Sequence, residues 1–134
     1  MKDYANASLL QLAARIARRE VSVEQVARAA ITHIEEYEPA VHAWQYFDPQ
    51  LVLEQARLLD AQSHQGLLHG VPLGVKDLMD TEDMPTTYGS PIYAGYRPLT
   101  DSACVASSRD AGALLMGKTC LLYTSDAADE RSSV

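Results

Sequence analysis

The chain has 134 residues, 47% hydrophobic, 22% charged and 7% aromatic, which suits one small globular domain and excludes wholesale disorder. No apolar run reaches the roughly 18 residues of a membrane-spanning helix, and Met1-Lys2-Asp3-Tyr4 lacks the apolar core of a secretory signal, so the expected compartment is the cytoplasm. The net charge of −7 disfavours nucleic-acid binding, and two cysteines, Cys104 and Cys120, supply neither a disulfide framework nor a metal site.

The first 63 residues read as helical. Ser8 to Arg19 places Leu9, Leu12 and Ile16 on one face, and Arg15, Arg18 and Arg19 suit the negative end of a helix. Ser22 with Gln25 fits a capping box, and Val23, Val26, Ala27, Ala30, Ile31 and Ile34 follow at helical spacing. Glu38-Pro39 should close that helix, because the residue before proline avoids the α region. Ala43 to Phe47 is short and aromatic and predicts a strand, with Trp44, Tyr46 and Phe47 as core residues. Asp48-Pro49 is an N-cap followed by proline at the first helical position. It opens a helix to about Ser63 with Val52, Ala56 and Leu59 on one face. Residues 69–99 predict a strand followed by a long loop punctuated by proline and glycine, a length that is often functional. Ser102 caps a helix through Ala111, Gly112 ends it, and Ala113-Leu114-Leu115-Met116 is a short buried strand. Alternating helices and short strands give an α/β layer arrangement.

Lysine is scarce, with only Lys2, Lys76 and Lys118. An apolar strand, Val71 to Val75, delivers Lys76 into the loop. An amine partly removed from water gives up its proton more readily and can act as a general base; the plainer alternative is a surface lysine paired with Asp77. Gly112 to Thr119 matches the P-loop expression, but its four variable residues are Ala-Leu-Leu-Met, which read as a strand with a helix before it. A P-loop needs the reverse order, so nucleotide binding is disfavoured. His33, His42, His64 and His69 have no metal-ligand spacing. His33 and His64 are expected in solvent, while His69 adjoins the turn before Lys76 and could lie near a site. Cys104 reads as a small buried hydrophobe. The hydroxyl-rich loop Thr86-Thr87-Tyr88-Gly89-Ser90-Pro91 could approach a ligand, but alone it reads as a set of turns.

Three of these segments together resemble the amidase signature family. Leu68-His69-Gly70-Val71-Pro72-Leu73-Gly74-Val75-Lys76-Asp77 is similar to its Gly-(Ile/Val)-Pro-x-x-(Val/Ile)-Lys-Asp block, Pro85-Thr86-Thr87-Tyr88-Gly89-Ser90 to its Thr-Thr-x-Gly-Ser turn, and Asp110 to Thr119 to its Ala-Gly-Ala…Gly-Lys-Thr block. The resemblance covers residues 1–119. It implies N-terminal helices plus the first strands of an incomplete mixed-sheet fold. It also implies amide hydrolysis by a Ser–cis-Ser–Lys triad, with Lys76 at the position of the catalytic lysine. No metal or organic cofactor is implied. The partner would be a small-molecule amide bound by the intact parent, with no nucleic acid and no membrane. The oligomeric state is left open. A glutamine amidotransferase of the family would share the same residues, and a noncatalytic helical module binding a partner through the Val23–Ile34 stripe is the alternative from another class.

After Thr119 the family pattern breaks. Ser132-Ser133 has no flanking glycines, so neither triad serine can be assigned, and the chain alone is expected to be inactive and poorly stable. Cys120 to Glu130 looks like the translated end of a transposase library adapter. Residues 120–134 are therefore expected to be a non-native, disordered tail, which codons other than the adapter's would disprove.

Overall fold

The first three helix starts are set by side chains that take over the first orphan amides, whereas Ser102, expected to cap the fourth helix, makes no side-chain cap bond. The computed structural model describes residues 7–121. Ser8 and Gln11 form a reciprocal capping box at the head of α1 (Leu9–Ala17), and Ser22 and Gln25 repeat it at α2 (Val23–Val41). Strand β1 (Trp44–Phe47) leads into Asp48, whose carboxylate accepts from Gln50 N and Leu51 N above Pro49 and starts α3 (Pro49–Ala61). From α3, Asp60 reaches back to α2 and accepts from Val23 N at 2.7 Å and Glu24 N at 2.9 Å. This second cap ties the two helices together. Strand β2 (Pro72–Lys76), helix α4 (Ala103–Asp110) and strand β3 (Leu114–Thr119) follow.

The ends of α1 and α2 differ from expectation. Helix α1 stops at Ala17, and Arg19 turns left-handed at φ 56°. Helix α2 does not close at Glu38: it continues through Pro39 to Val41, and His42 ends it at φ 52°. Proline removes one backbone donor near the helix end. Keeping Glu38 helical lets its carboxylate accept from Ala43 N at 3.0 Å and Trp44 N at 2.9 Å, the amides that leave the helix.

The three strands form a mixed sheet in the order β1-β3-β2, with β3 antiparallel to β1 and parallel to β2. Strand β3 is central and buried from Leu114 to Lys118, two residues beyond its expected end. Alternation splits its side chains between two cores. Leu114 and Met116 pack with Leu12, Ile16, Val23, Val26, Ala27, Ile31, Val52 and Ala56 from α1 to α3. Leu115 packs on the other side with Val75, Met84 and Val105. The apolar stripe of α2 is thus spent inside the fold and is not a free face for a partner helix. Trp44 and Phe47 join the first core and Tyr46 the second, as expected.

Where the β2–β3 register shifts, Gly74 lies opposite Gly117. The Trp44 ring covers both: a Cβ on Gly117 would stand 2.4 Å from Tyr46 O and 3.1 Å from the ring, and one on Gly74 would stand 3.1 Å from Thr119 Cγ2. Only glycine admits that approach.

Residues 77–101 carry one short 3-10 turn, Pro91–Tyr93, and are otherwise irregular. Arg109 on α4 pins this loop by donating to Asp83 at 2.6 Å and Asp101 at 2.8 Å. Helix α4 buries only Val105, so Cys104, expected inside, is exposed. Cys120 N donates to Ala43 O at 2.8 Å, continuing the contact with β1 past Thr119. The tail expected over 120–134 lies outside the described residues from 122 onward. No helix among the described residues is long and apolar enough to cross a membrane.

Candidate functional site

Parallel strands β2 and β3 finish side by side, with Val75 opposite Lys118 and Lys76 opposite Thr119. In layered α/β proteins the crevice outside the carboxyl ends of parallel strands is the usual binding place. Here that edge carries two lysines with opposite circumstances.

Lys118 is fully buried. Its ammonium has three acceptors for its three hydrogens: Asp77 Oδ1 at 3.2 Å, Thr86 Oγ1 at 2.7 Å and Pro85 O at 3.3 Å. Burial pushes its amine below the ordinary lysine value, and the Asp77 carboxylate opposes that shift. Asp77 is equally buried and accepts from the Thr87 amide at 3.2 Å and from the Thr87 hydroxyl. Its own backbone is fixed on both sides, with Asp77 N donating to Thr119 O and Tyr88 N donating to Asp77 O, each at 3.0 Å.

Lys76 sits between two buried residues, Val75 and Asp77. Side chains alternate along a strand, so it points away from both. It is half-buried, and among the described residues it makes no ion pair and no side-chain hydrogen bond. The plain pairing of Lys76 with Asp77 is therefore wrong: Asp77 points to the other face, where Lys118 holds it.

The hydroxyl-rich loop is a set of turns directed inward. Thr86 accepts from Lys118, Thr87 donates to Asp77, and Ser90 accepts from Ile92 N to start the 3-10 turn. Tyr88 takes φ 53° and donates its hydroxyl to Asp80, a bond that pushes the phenol up to about 12. It meets Tyr93 and Tyr96 in an exposed ring cluster, with the Tyr88 and Tyr93 centroids 5.1 Å apart.

His69 does not join Lys76. It precedes β2, while Lys76 ends it. Its buried ring accepts from Gln65 N at 3.2 Å and organises the turn there. Burial pushes its pKa down, with His64, 5.0 Å away, adding to the shift. His33 and His64 are exposed, as expected. Gly112 to Thr119 is a turn leading into strand β3 with its lysine sealed inside, so it offers no phosphate cradle. Among the described residues no group of three His, Cys, Asp or Glu side chains could hold a metal ion.

Sequence reasoning missed the part played by Lys118. The available signal was a cation closing a wholly apolar run. Such a residue needs a buried counter-ion, and Asp77 stands at the matching end of the other apolar strand.

Comparison with known proteins follows the same segments. Residues 25–125 match the family model described as Amidase. The A-type component of a glutamyl-tRNA(Gln) amidotransferase from Acidothermus cellulolyticus is 45% identical over 123 residues, covering 89% of this chain and 24% of that protein. The peptide amidase of Stenotrophomonas maltophilia superimposes with a TM-score of 0.81 at 31% identity, over 87% of this chain and 25% of that one. An amidase family protein from Bacillus anthracis gives 0.78 at 26% identity, over 88% and 25%. The chain thus spans about a quarter of the length of the relatives it matches.

Proposed function

This chain belongs to the amidase family, and we propose that it supplies the lysine of an amide-hydrolysing site, with Lys76 as the proton relay of a Ser–cis-Ser–Lys triad in the intact parent. The observation that carries the reading is the state of Lys76: half-buried at the carboxyl edge of β2, unpaired among the described residues, with its neighbouring carboxylate turned to the opposite face. A general base must reach its target with its lone pair available.

In the proposed reaction a serine hydroxyl attacks the carboxamide carbon as its proton passes through the bridging serine to Lys76. Backbone N–H groups hold the oxyanion. The proton returns to the departing nitrogen, which leaves as ammonia or an amine, and water then releases the acyl group as a carboxylic acid by the same route. No metal or organic cofactor takes part. The chain contains one of the three triad members, so alone it releases no ammonia. We place the parent in the cytoplasm, acting on a small-molecule amide and not on nucleic acid or membrane. The similarity to the A-type component of an amidotransferase supports a second reading, in which the same residues serve a glutamine amidotransferase. We read residues 120–134 as a non-native tail, which the coding DNA tests directly.

The test is a graft. In a full-length amidase of the family whose matching segment is replaced by residues 7–119, ammonia release from simple carboxamides is expected, and Lys76→Ala lowers it at least about a hundredfold. Hydrolysis within about tenfold of the parent graft in that variant would sink the assignment.

A further inference from the structure

A lysine that must accept a proton is badly served by an acidic neighbour. A carboxylate within about 6 Å of an amine favours its charged form by about one to three pH units, and the Cα atoms of Lys76 and Asp77 are only about 3.8 Å apart. Three arrangements keep that charge from reaching Lys76. Asp77 points to the opposite face of β2, where it is buried. Its carboxylate meets an ammonium, Lys118 Nζ, at 3.2 Å. Its second oxygen is taken by the Thr87 hydroxyl, and the Thr87 amide lies 3.2 Å from both oxygens.

We propose that Lys118 is a positioning residue for Lys76: its buried ammonium neutralises Asp77, so that the residue fixing the end of β2 presents no net charge to the amine beside it. The inference rests on the reading of Lys76 as the proton relay, and it concerns how that lysine is kept competent. An acceptor side chain is needed at this place because the Asp77 carboxylate takes the Thr87 amide and hydroxyl, adding to the backbone bonds that tie the strand end to Thr119 and Tyr88. A cation from β3 cancels its charge without contacting Lys76. Other titratable groups on the surrounding elements have their own engagements or sit further along: Asp80 accepts from Tyr88, Asp83 pairs with Arg109, Tyr46 packs in the second core and Cys120 follows β3.

The chain's three lysines make the test direct, because Lys2, Lys76 and Lys118 can be followed separately by peptide mass spectrometry. The 134-residue chain is acetylated with trace acetic anhydride from about pH 7 to pH 11, and the midpoint of the Lys76 labelling curve is compared between variants. Lys118→Met leaves Asp77 uncompensated and should move the midpoint up by about one unit. Asp77→Asn leaves Lys118 uncompensated and should move it down. The neutral double variant and Lys118→Arg should both keep the wild-type midpoint within about 0.3 units. A purely structural role would not give opposite signs. Equal shifts in both single variants, no shift in either, or a double variant displaced by more than about half a unit would overturn the proposal. If Lys118→Met does not fold by circular dichroism, the downward shift in Asp77→Asn set against the unmoved double variant still decides, and an unmoved Asp77→Asn overturns the proposal. The two readings fail separately. A fully active Lys76→Ala graft removes the catalytic role and leaves the charge arrangement standing. An inactive graft with unmoved midpoints removes only the role of Lys118.

Discussion

The buried Asp77–Lys118 pair makes a sharp prediction about stability. Replacing Asp77 with Asn leaves a fully buried ammonium with two neutral acceptors, Thr86 Oγ1 and Pro85 O. Removing one partner of a buried pair costs about 3–5 kcal/mol. Lys118→Met is gentler, because the stranded carboxylate keeps the Thr87 amide and hydroxyl as donors; about 2–3 kcal/mol is expected. In the double variant no charge is buried, and the loss should be only about 1–2 kcal/mol from acceptors left unpartnered. The coupling between the two sites is then about 3 kcal/mol or more, at the upper end for neighbours. Urea unfolding followed by the fluorescence of Trp44, the single tryptophan and part of the first core, measures all four corners of the cycle. Additivity within about 0.5 kcal/mol would refute the reasoning, since it would mean that the charges do not interact.

Asp60→Ala removes both carboxylate bonds to the first amides of α2 and should cost about 2 kcal/mol in the same assay, with α2 fraying first in hydrogen exchange. Gly117→Ala forces a Cβ to within 2.4 Å of Tyr46 O, so a loss of at least about 2 kcal/mol and a changed Trp44 emission are expected. His69 is held below the ordinary 6.5 by burial. Below 6.5 the unfolded chain therefore binds more protons than the folded one, and stability present above that pH is lost as pH falls toward the depressed value. His69→Gln should flatten this part of the stability curve measured between pH 7 and pH 5.

Much of the fold is legible because its decisive signals are local. Ser22 with Gln25 and Asp48 with Pro49 act within one turn, so sequence alone places those helix starts, and the α2 stripe is the buried face it reads as. The misreadings arise where a distant contact overrides a local preference. Pro39 stays helical because Glu38 is needed under Ala43 and Trp44. Cys104 is exposed because α4 is short and buries only Val105. In the candidate site, Lys76 could be placed from the apolar strand before it and the family resemblance. Its freedom from Asp77 could not, because that depends on a lysine 42 positions along the chain that reaches Asp77 only through the parallel pairing of β2 with β3.

The central claim is that Lys76 carries the proton in amide hydrolysis. It is tested most directly by the turnover number of the grafted full-length enzyme with and without Lys76→Ala. A fall of about a hundredfold to ten-thousandfold is expected, the range of a lost acid–base group, with folding unchanged by circular dichroism. A fall of less than about tenfold would contradict it.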